Sequence, residues 1–315
     1  MKVQTTGPLP YLREELPLED VDCRMCGKSE RHTLSQDPPF IVVRCDHCEF
    51  VYVTPRIPES HLHLVYAWDY YESGHAQDYG YKNYLKEGHL HARTFTKKAE
   101  FVARHKNSGR VLEVGSAGGF FLKEMKARGF DVTGVEISAE AAEFSRRELG
   151  LENIHCCRLE DAQLEGPFDV IALWDVIEHV SDPFATLEML ASLIAKDGIL
   201  VVQTQNIDSL AAKLLGRRWH HFKHLEHIYH FSPSTIERAL TKSGFETVEL
   251  TSTGAGKYIS GAFVIERMRR LSRVGYALMK PFRCFGDSSF YVNLRDEFIV
   301  AARLKTDASG GKDGE

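Results

Sequence analysis

The chain has 315 residues, 43% of them hydrophobic, and a formal net charge of −5. That is enough apolar residue to bury a sizeable core, and the acidic balance gives no strong nucleic-acid signal. No apolar run reaches transmembrane length, and the extension over 1–19 carries acids without an apolar signal core, so a cytoplasmic protein with reduced thiols is expected.

Four of the seven cysteines fall as Cys23-x2-Cys26-x18-Cys45-x2-Cys48. Two short C-x2-C turns can bring four soft sulfur ligands to one point, as in a tetrahedral zinc site. Two disulfides are the competing reading, disfavoured by the expected reducing compartment. Four thiolates leave no open coordination position, so such a zinc would be structural. The spacing predicts a zinc ribbon over 20–55 with strands at Phe40–Arg44 and Phe50–Val53, closed by Pro55 and Pro58. Cys156, Cys157 and Cys284 lack partner spacing and are expected to be small buried residues.

Residues 56–107 read as a helical connector or lid. Tyr66, Trp68, Tyr70, Tyr71, Tyr79, Tyr81 and Tyr84 make it aromatic, suiting either a cover over an acceptor or packing between domains. Beyond the polar turn at 106–109, strand and helix patterns alternate through 108–305, which predicts an α/β fold with a mostly parallel sheet covered on both faces. Seven strands are expected: Arg110–Val114, Asp131–Glu136, Asn153–Cys157, Phe168–Trp174, Gly198–Thr204, Phe245–Leu250 and Glu297–Arg303. The polar tail, 306–315, has the composition of a disordered segment.

The first of these strands runs into Glu113-Val-Gly115-Ser-Ala117-Gly-Gly119, and the second ends at Glu136. A glycine-rich turn admits a ligand close to the backbone, and an acid about 20 residues on can accept from ribose hydroxyls. Ala117 and Phe120 break the dinucleotide pattern G-x-G-x-x-G. Glu113 suits a cationic ligand better than a pyrophosphate. At these residues the chain resembles the class I S-adenosylmethionine-dependent methyltransferases, with alanine in the middle glycine slot of their first motif. The resemblance implies a seven-stranded Rossmann-like methyltransferase sheet with helices on both faces. It implies that Gly115, Ala117 and Gly119 admit the methionyl portion, that Glu113 orients it, and that Glu136 takes the ribose. Leu159 and Glu160 fall where the family contacts adenine.

The segment Phe168–Pro183, reading FDVIALWDVIEHVSDP, narrows the resemblance to a subgroup with an N-terminal zinc ribbon, many of whose members act on sugars or other small molecules. Later pieces in the same order are Gly198, Thr204, Asn206, Arg218-Trp219, Glu226-His227, Phe231-Ser232, Asn293, Asp296, Val300, Ala302 and Arg303. Trp174, Asp175, Glu178 and His179 lie past a strand's carboxyl end, where open α/β sheets hold ligands.

If the acceptor is a hydroxyl, a base helps remove its proton, and histidine titrates nearest neutrality. His179 is the first candidate, with packing before Asp182-Pro183 as the alternative, and His227 is the second. His220, His224 and His227 would share one face if their segment were helical, which makes a second metal site conceivable. A loop bordering the acceptor pocket is the favoured reading there. Ser232-Pro233 and Gly244 bracket a helix. The basic amphipathic pattern over 259–283 fits a helix packed on the sheet better than peripheral membrane contact.

The expected function is methyl transfer from S-adenosylmethionine to a small-molecule acceptor, such as a sugar or glycan-precursor hydroxyl. The rivals are an RNA or protein methyltransferase docking through its ribbon, and a cofactor-binding scaffold without turnover.

Overall fold

The computed structural model describes residues 17–61, 88–261, 263–265, 276 and 288–306. All seven connector aromatics, Cys284 and most of the basic segment lie outside those residues, as does the tail beyond 306.

The sheet forms where near-continuous apolar runs occur. Its strands are β4 (Arg110–Val114), β5 (Asp131–Val135), β6 (Ile154–His155), β7 (Phe168–Trp174), β8 (Ile194–Gln205), β10 (Phe245–Thr251) and β13 (Glu297–Leu304), in the order β10-β13-β8-β7-β4-β5-β6. β4 pairs in parallel with both β5 and β7, β5 with β6 and β7 with β8, whereas β13 runs antiparallel between β8 and β10. All seven predicted strands are present, and the α/β fold is the expected one. β8 starts four residues earlier than predicted, because exposed Lys196 and Asp197 interrupt the apolar signal that Gly198 resumes.

The two-residue alternation of a strand divides the core into two layers. Leu112, Ile171, Leu200 and Val300 face α4 (Pro183–Leu193) and α6 (Pro233–Lys242) through Leu187, Leu190, Ile236 and Leu240. Val111, Val170, Val201 and Ala301 face α1 (Gly88–Ala103) and α2 (Phe120–Ala127) through Val102, Phe121 and Met125. Side-chain caps fix the starts of four helices. Ser138 accepts from Ala141 N to begin α3 (Ala139–Leu149), Asp182 accepts from Phe184 N and Ala185 N, Ser209 accepts from Ala212 N to begin α5 (Leu210–Leu215), and Ser232 forms a capping box with Thr235. Pro233 occupies the first turn of α6 and Gly244 follows its end at φ +87°, as the sequence predicts.

The cysteine-bearing unit comprises β1 (Arg31–Asp37), β2 (Phe40–Cys45) and β3 (Val51–Val53), but it is not closed by its prolines. A two-residue strand from far along the chain, β9 (Tyr229–His230), pairs antiparallel with β3 and completes a four-stranded sheet. Phe50 stacks on Tyr229 at 5.5 Å and meets Phe231 at 5.3 Å. Buried Arg56 donates to Tyr229 Oη at 2.7 Å and to the Ser181 carbonyl at 3.2 Å. Cys23, Val43, Phe50 and Tyr52 belong to the same buried cluster as Leu112 and Leu200. Ribbon and sheet therefore share one core. β9 escapes sequence reading because two residues show no alternation.

A small hairpin, β11 (Lys257–Ser260) with β12 (Ser289–Val292), flanks β13. Ile259 and Ser260 are strand residues, so the segment predicted as a basic helix from 259 begins inside β11. Cys156 is exposed and Cys157 only partly covered, against the expectation of burial, because β6 ends at His155 and the chain leaves the sheet. Among the described residues, no helix is long and apolar enough to cross a membrane.

Candidate active site

The strand order reverses between β5 and β7, on either side of β4, and a parallel sheet opens a crevice at the carboxyl ends of its strands there. The turn after β4 forms one wall. Gly115, Ala117 and Gly119 have φ of +68°, +45° and +75°. A Cβ on Gly115 would stand 2.6 Å from Val176 Cγ2, and one on Gly119 2.5 Å from Leu151 Cδ1, so both glycines are needed for space as well as conformation. Ala117 holds its left-handed backbone through two hydrogen bonds. Its N–H donates to Glu136 Oε2 at 2.7 Å, and its carbonyl accepts from Ser145 Oγ at 3.1 Å.

Glu136 ends β5 and also accepts from Ser138 N at 2.8 Å through Oε1. It is 7% exposed, and burial raises its pKa against the pull of these amides. A carboxylate offers about four acceptor positions, so two remain for vicinal hydroxyls. Glu113 is 1% exposed beneath the turn, with its carboxylate within reach of the Leu122 backbone N–H in the first turn of α2 and Oε2 without a partner. Burial holds its pKa well up, opposed by nearby Lys98. A cradle that a Cβ would fill, beside an unpartnered buried carboxylate oxygen, fits a nucleoside ligand carrying positive charge. Leu159 is buried in the turn after β6, whereas Glu160 is exposed and pairs with Arg158 at 3.3 Å.

The facing wall follows β7. Trp174 packs edge-on against Phe121 at 5.1 Å and has its buried Nε1 unpartnered. Asp175, at φ +56°, accepts from Gln203 Nε2 at 3.2 Å, and the same amide donates to Glu297 Oε2 at 2.9 Å. Glu178 is buried and accepts from Thr204 Oγ1 at 3.0 Å, with its pKa pushed well up by burial and then by Asp175.

The two candidate bases meet here. The rings of His179 and His227 lie 4.7 Å apart, edge to face. Burial lowers the pKa of each, and His179 adds to the effect at His227, which is 5% exposed with Nδ1 unpartnered. Both imidazoles are therefore neutral at neutral pH and able to accept a proton.

The segment bearing the other histidines is a series of turns, in line with the favoured loop reading, so the conditional one-face grouping does not form. His224 approaches Ser35 Oγ of the ribbon at 3.3 Å, while His220 approaches Asp296 Oδ2 at 3.6 Å. His220, His221 and Asp296 form a cluster of their own. Sequence reasoning missed Lys98, Gln203, Lys257 and Glu297. Lys98 left a signal, since it falls on the apolar stripe Phe95–Ala99–Val102 of α1, and it is buried with Nζ 4.8 Å from the Trp174 ring centre. Gln203 and Glu297 lie inside strands whose partners the sequence does not reveal.

The cysteine cluster is compact. Sγ atoms of Cys23, Cys26, Cys45 and Cys48 lie within 4.8 Å of one another, at 3.4 Å for Cys23–Cys48 and 3.5 Å for Cys26–Cys45, and all four are free thiols. These separations are far too long for disulfides at about 2.05 Å and match sulfurs around a metal at about 2.3 Å. Burial pushes the Cys48 thiol up to about 11 and Cys23 higher still, and a cation coordinated by the four sulfurs would favour their thiolate forms. The donor set fits zinc.

Residues 86–250, more than half of the chain, match a family model described as a methyltransferase domain. The chain belongs to this family, and its strand order and glycine turn are those of the class I S-adenosylmethionine-dependent methyltransferase fold. Among curated relatives, the ubiquinone biosynthesis O-methyltransferase of Aromatoleum aromaticum is 31% identical over 45% of this chain and 65% of its own. That of Neisseria meningitidis serogroup C is 34% identical over 31% of this chain and 44% of its own. The alignments thus span about half to two thirds of the relatives' lengths. A solved methyltransferase from Thermotoga maritima, described as a possible histamine N-methyltransferase, covers 73% of this chain and 99% of its own at 18% identity and a TM-score of 0.48.

Proposed function

We propose that the protein transfers a methyl group from S-adenosylmethionine to a hydroxyl of a small-molecule acceptor. The observation that carries this reading is the His179–His227 pair, the first half-buried and the second buried, at the carboxyl end of the sheet that also presents the glycine turn and Glu136. The curated relatives named as O-methyltransferases support oxygen as the receiving atom. The subgroup resemblance favours a sugar or glycan precursor within that class.

S-adenosylmethionine, when bound, supplies an activated methyl on a sulfonium with a good leaving group. Glu136 would take its ribose hydroxyls on the acceptor positions left by Ala117 and Ser138, and the turn at Gly115–Gly119 would seat the methionyl portion. Glu113 would balance positive charge from below, and Leu159 would cover one face of the adenine. Trp174 and Asp175 would border the methyl. His227 would accept the hydroxyl proton at Nδ1, with His179 holding the imidazole in place. Much of the acceleration would come from alignment in a site that excludes water. Four thiolates would hold a structural zinc, keeping the ribbon docked so that β9 delivers the histidine segment to the crevice. A cytoplasmic location accompanies this reading.

The test is incubation with methyl-labelled S-adenosylmethionine and fractionated cell extract. Label should enter a low-molecular-weight fraction in alkali-stable ether linkage. Label confined to RNA or protein, or absent from every fraction, would overturn the proposal.

A further inference from the structure

Beside the histidine pair lies a second constellation that the transfer scheme does not use. β13 begins at the carboxyl end of β8, with Glu297 opposite Gln205, so Asp296 and Glu297 stand at the crevice rim. The turns over 219–222 bring two imidazoles to them. His220 Nε2 lies 3.6 Å from Asp296 Oδ2, and His221 Nε2 lies 3.8 Å from the same oxygen and 3.4 Å from Glu297 Oε1. The donor atoms of His220, His221 and Asp296 all fall within 4.8 Å of one another.

Two features distinguish this cluster from ordinary packing. His221 is 8% exposed, yet its Nε2 has no hydrogen-bond partner while aimed between two carboxylates. Both oxygens stand beyond ordinary hydrogen-bond length, a geometry that a cation held between them and the nitrogen would account for. The surroundings also hold the oxygens as an outer ring holds metal ligands. Trp219 Nε1 donates to Asp296 Oδ2 at 3.1 Å, Gln203 Nε2 donates to Glu297 Oε2, and Lys257 Nζ stands 3.1 Å from Glu297 Oε1. Ligand atoms at about 2.1 Å from a tetrahedral ion are separated by roughly 3.4 Å, close to the 3.6 Å and 3.8 Å from the two imidazoles to Asp296 Oδ2. Lys257 already neutralises Glu297, which leaves two imidazoles and one carboxylate as the ligand set and Glu297 as the group beside them.

We propose that His220, His221 and Asp296 bind a divalent transition-metal ion at the acceptor side of the crevice, with positions left open for the acceptor's oxygen atoms. Imidazole with carboxylate suits zinc, iron, cobalt or manganese rather than magnesium or calcium. The ring centres of His221 and His227 are 5.8 Å apart, so an oxygen held by the ion lies within the neighbourhood of the proposed base. The ion acidifies the bound hydroxyl, His227 Nδ1 takes its proton, and the oxygen forms a bond to the methyl carbon. The carbon–sulfur bond breaks with its electron pair going to sulfur. This catalytic half rests on the small-molecule reading above; the metal site itself does not.

The full chain, dialysed against chelator and refilled with Co2+, separates the two metal sites by spectrum. Wild type should hold two Co2+ per chain. One gives the near-ultraviolet sulfur-to-cobalt band of the cysteine cluster, and the other gives only weak visible bands. His221→Ala and Asp296→Asn should each lose the second and keep the sulfur band, which also reports an intact ribbon. His179→Ala should keep both. A single Co2+ in wild type, or a second one that survives both substitutions or vanishes with His179→Ala, overturns the proposal. With an acceptor in hand, wild type holding both Co2+ should transfer at least tenfold faster than wild type holding only the Co2+ of the sulfur band, and Asp296→Asn should match the latter. Should the second Co2+ behave as expected while no small molecule is ever labelled, the metal site stands and the small-molecule reading falls.

Discussion

The two walls of the crevice are built in opposite ways. The donor wall comes from one continuous stretch, residues 113–138, where a strand, a glycine turn and a strand-end acid follow one another and bond directly. The acceptor wall is assembled from β7, β8, β13 and the turns before β9, and its stability depends on the ribbon packing against β9. Local geometry suffices for the first, whereas the second is a product of the whole fold. Damage to the ribbon should therefore reach the acceptor wall before the donor wall.

The largest test of that contrast is Cys45→Ser. Loss of one of four zinc-binding thiolates should release the metal and cost up to about 10 kcal/mol of ribbon stability, the scale of structural zinc binding. Elemental analysis should find that metal gone, and hydrogen exchange should rise first in β1–β3 and β9. Phe50→Ala comes next. Removing a fully buried ring that stacks on Tyr229 should cost about 3–5 kcal/mol, seen as a lower denaturation midpoint with a single transition. Two separated transitions would mean that ribbon and sheet do not share a core.

On the donor wall, Glu136→Ala should weaken binding of S-adenosylhomocysteine by about 1–3 kcal/mol, measured by calorimetry. Unaltered affinity would remove Glu136 from the ribose site. The smallest effect is in pH. A base whose pKa lies well below 6.5 keeps the rate of methyl transfer level from pH 7.5 down to about 6.5, with the acid limb below that. The same sign governs stability. Burial holds His230 down at about 3 and His91 at about 4, so the unfolded chain binds more protons than the folded one below about 6.5. Their contribution is whole above that pH and is lost as pH falls toward those values. An NMR titration that finds His230 protonated at pH 6 would contradict the burial account.

How much of this was legible in the sequence follows the same division. The seven strands and the turn at Gly115–Gly119 could be read because parallel strands are long apolar runs and glycines mark left-handed backbone. The Cys23–Cys48 spacing also foretold the cluster. His179 and His227 were named from motif position, though nothing along the chain says that residues 48 apart bring their rings to 4.7 Å. The loop reading of the histidine segment holds, but the approach of His220 to Asp296, 76 residues further on at 3.6 Å, leaves no mark along the chain. β9 was invisible because its strand identity comes from β3, not from its own two residues.

The central claim is that donor and acceptor chemistry meet in one crevice with His227 as the base. It is tested most directly by single-turnover transfer from methyl-labelled S-adenosylmethionine in His227→Ala, with cofactor affinity measured on the same sample. The account predicts unchanged affinity and a rate lower by about 100-fold or more, the usual scale for losing a general base. Near wild-type transfer, or a loss of affinity large enough to explain the lower rate, would contradict it.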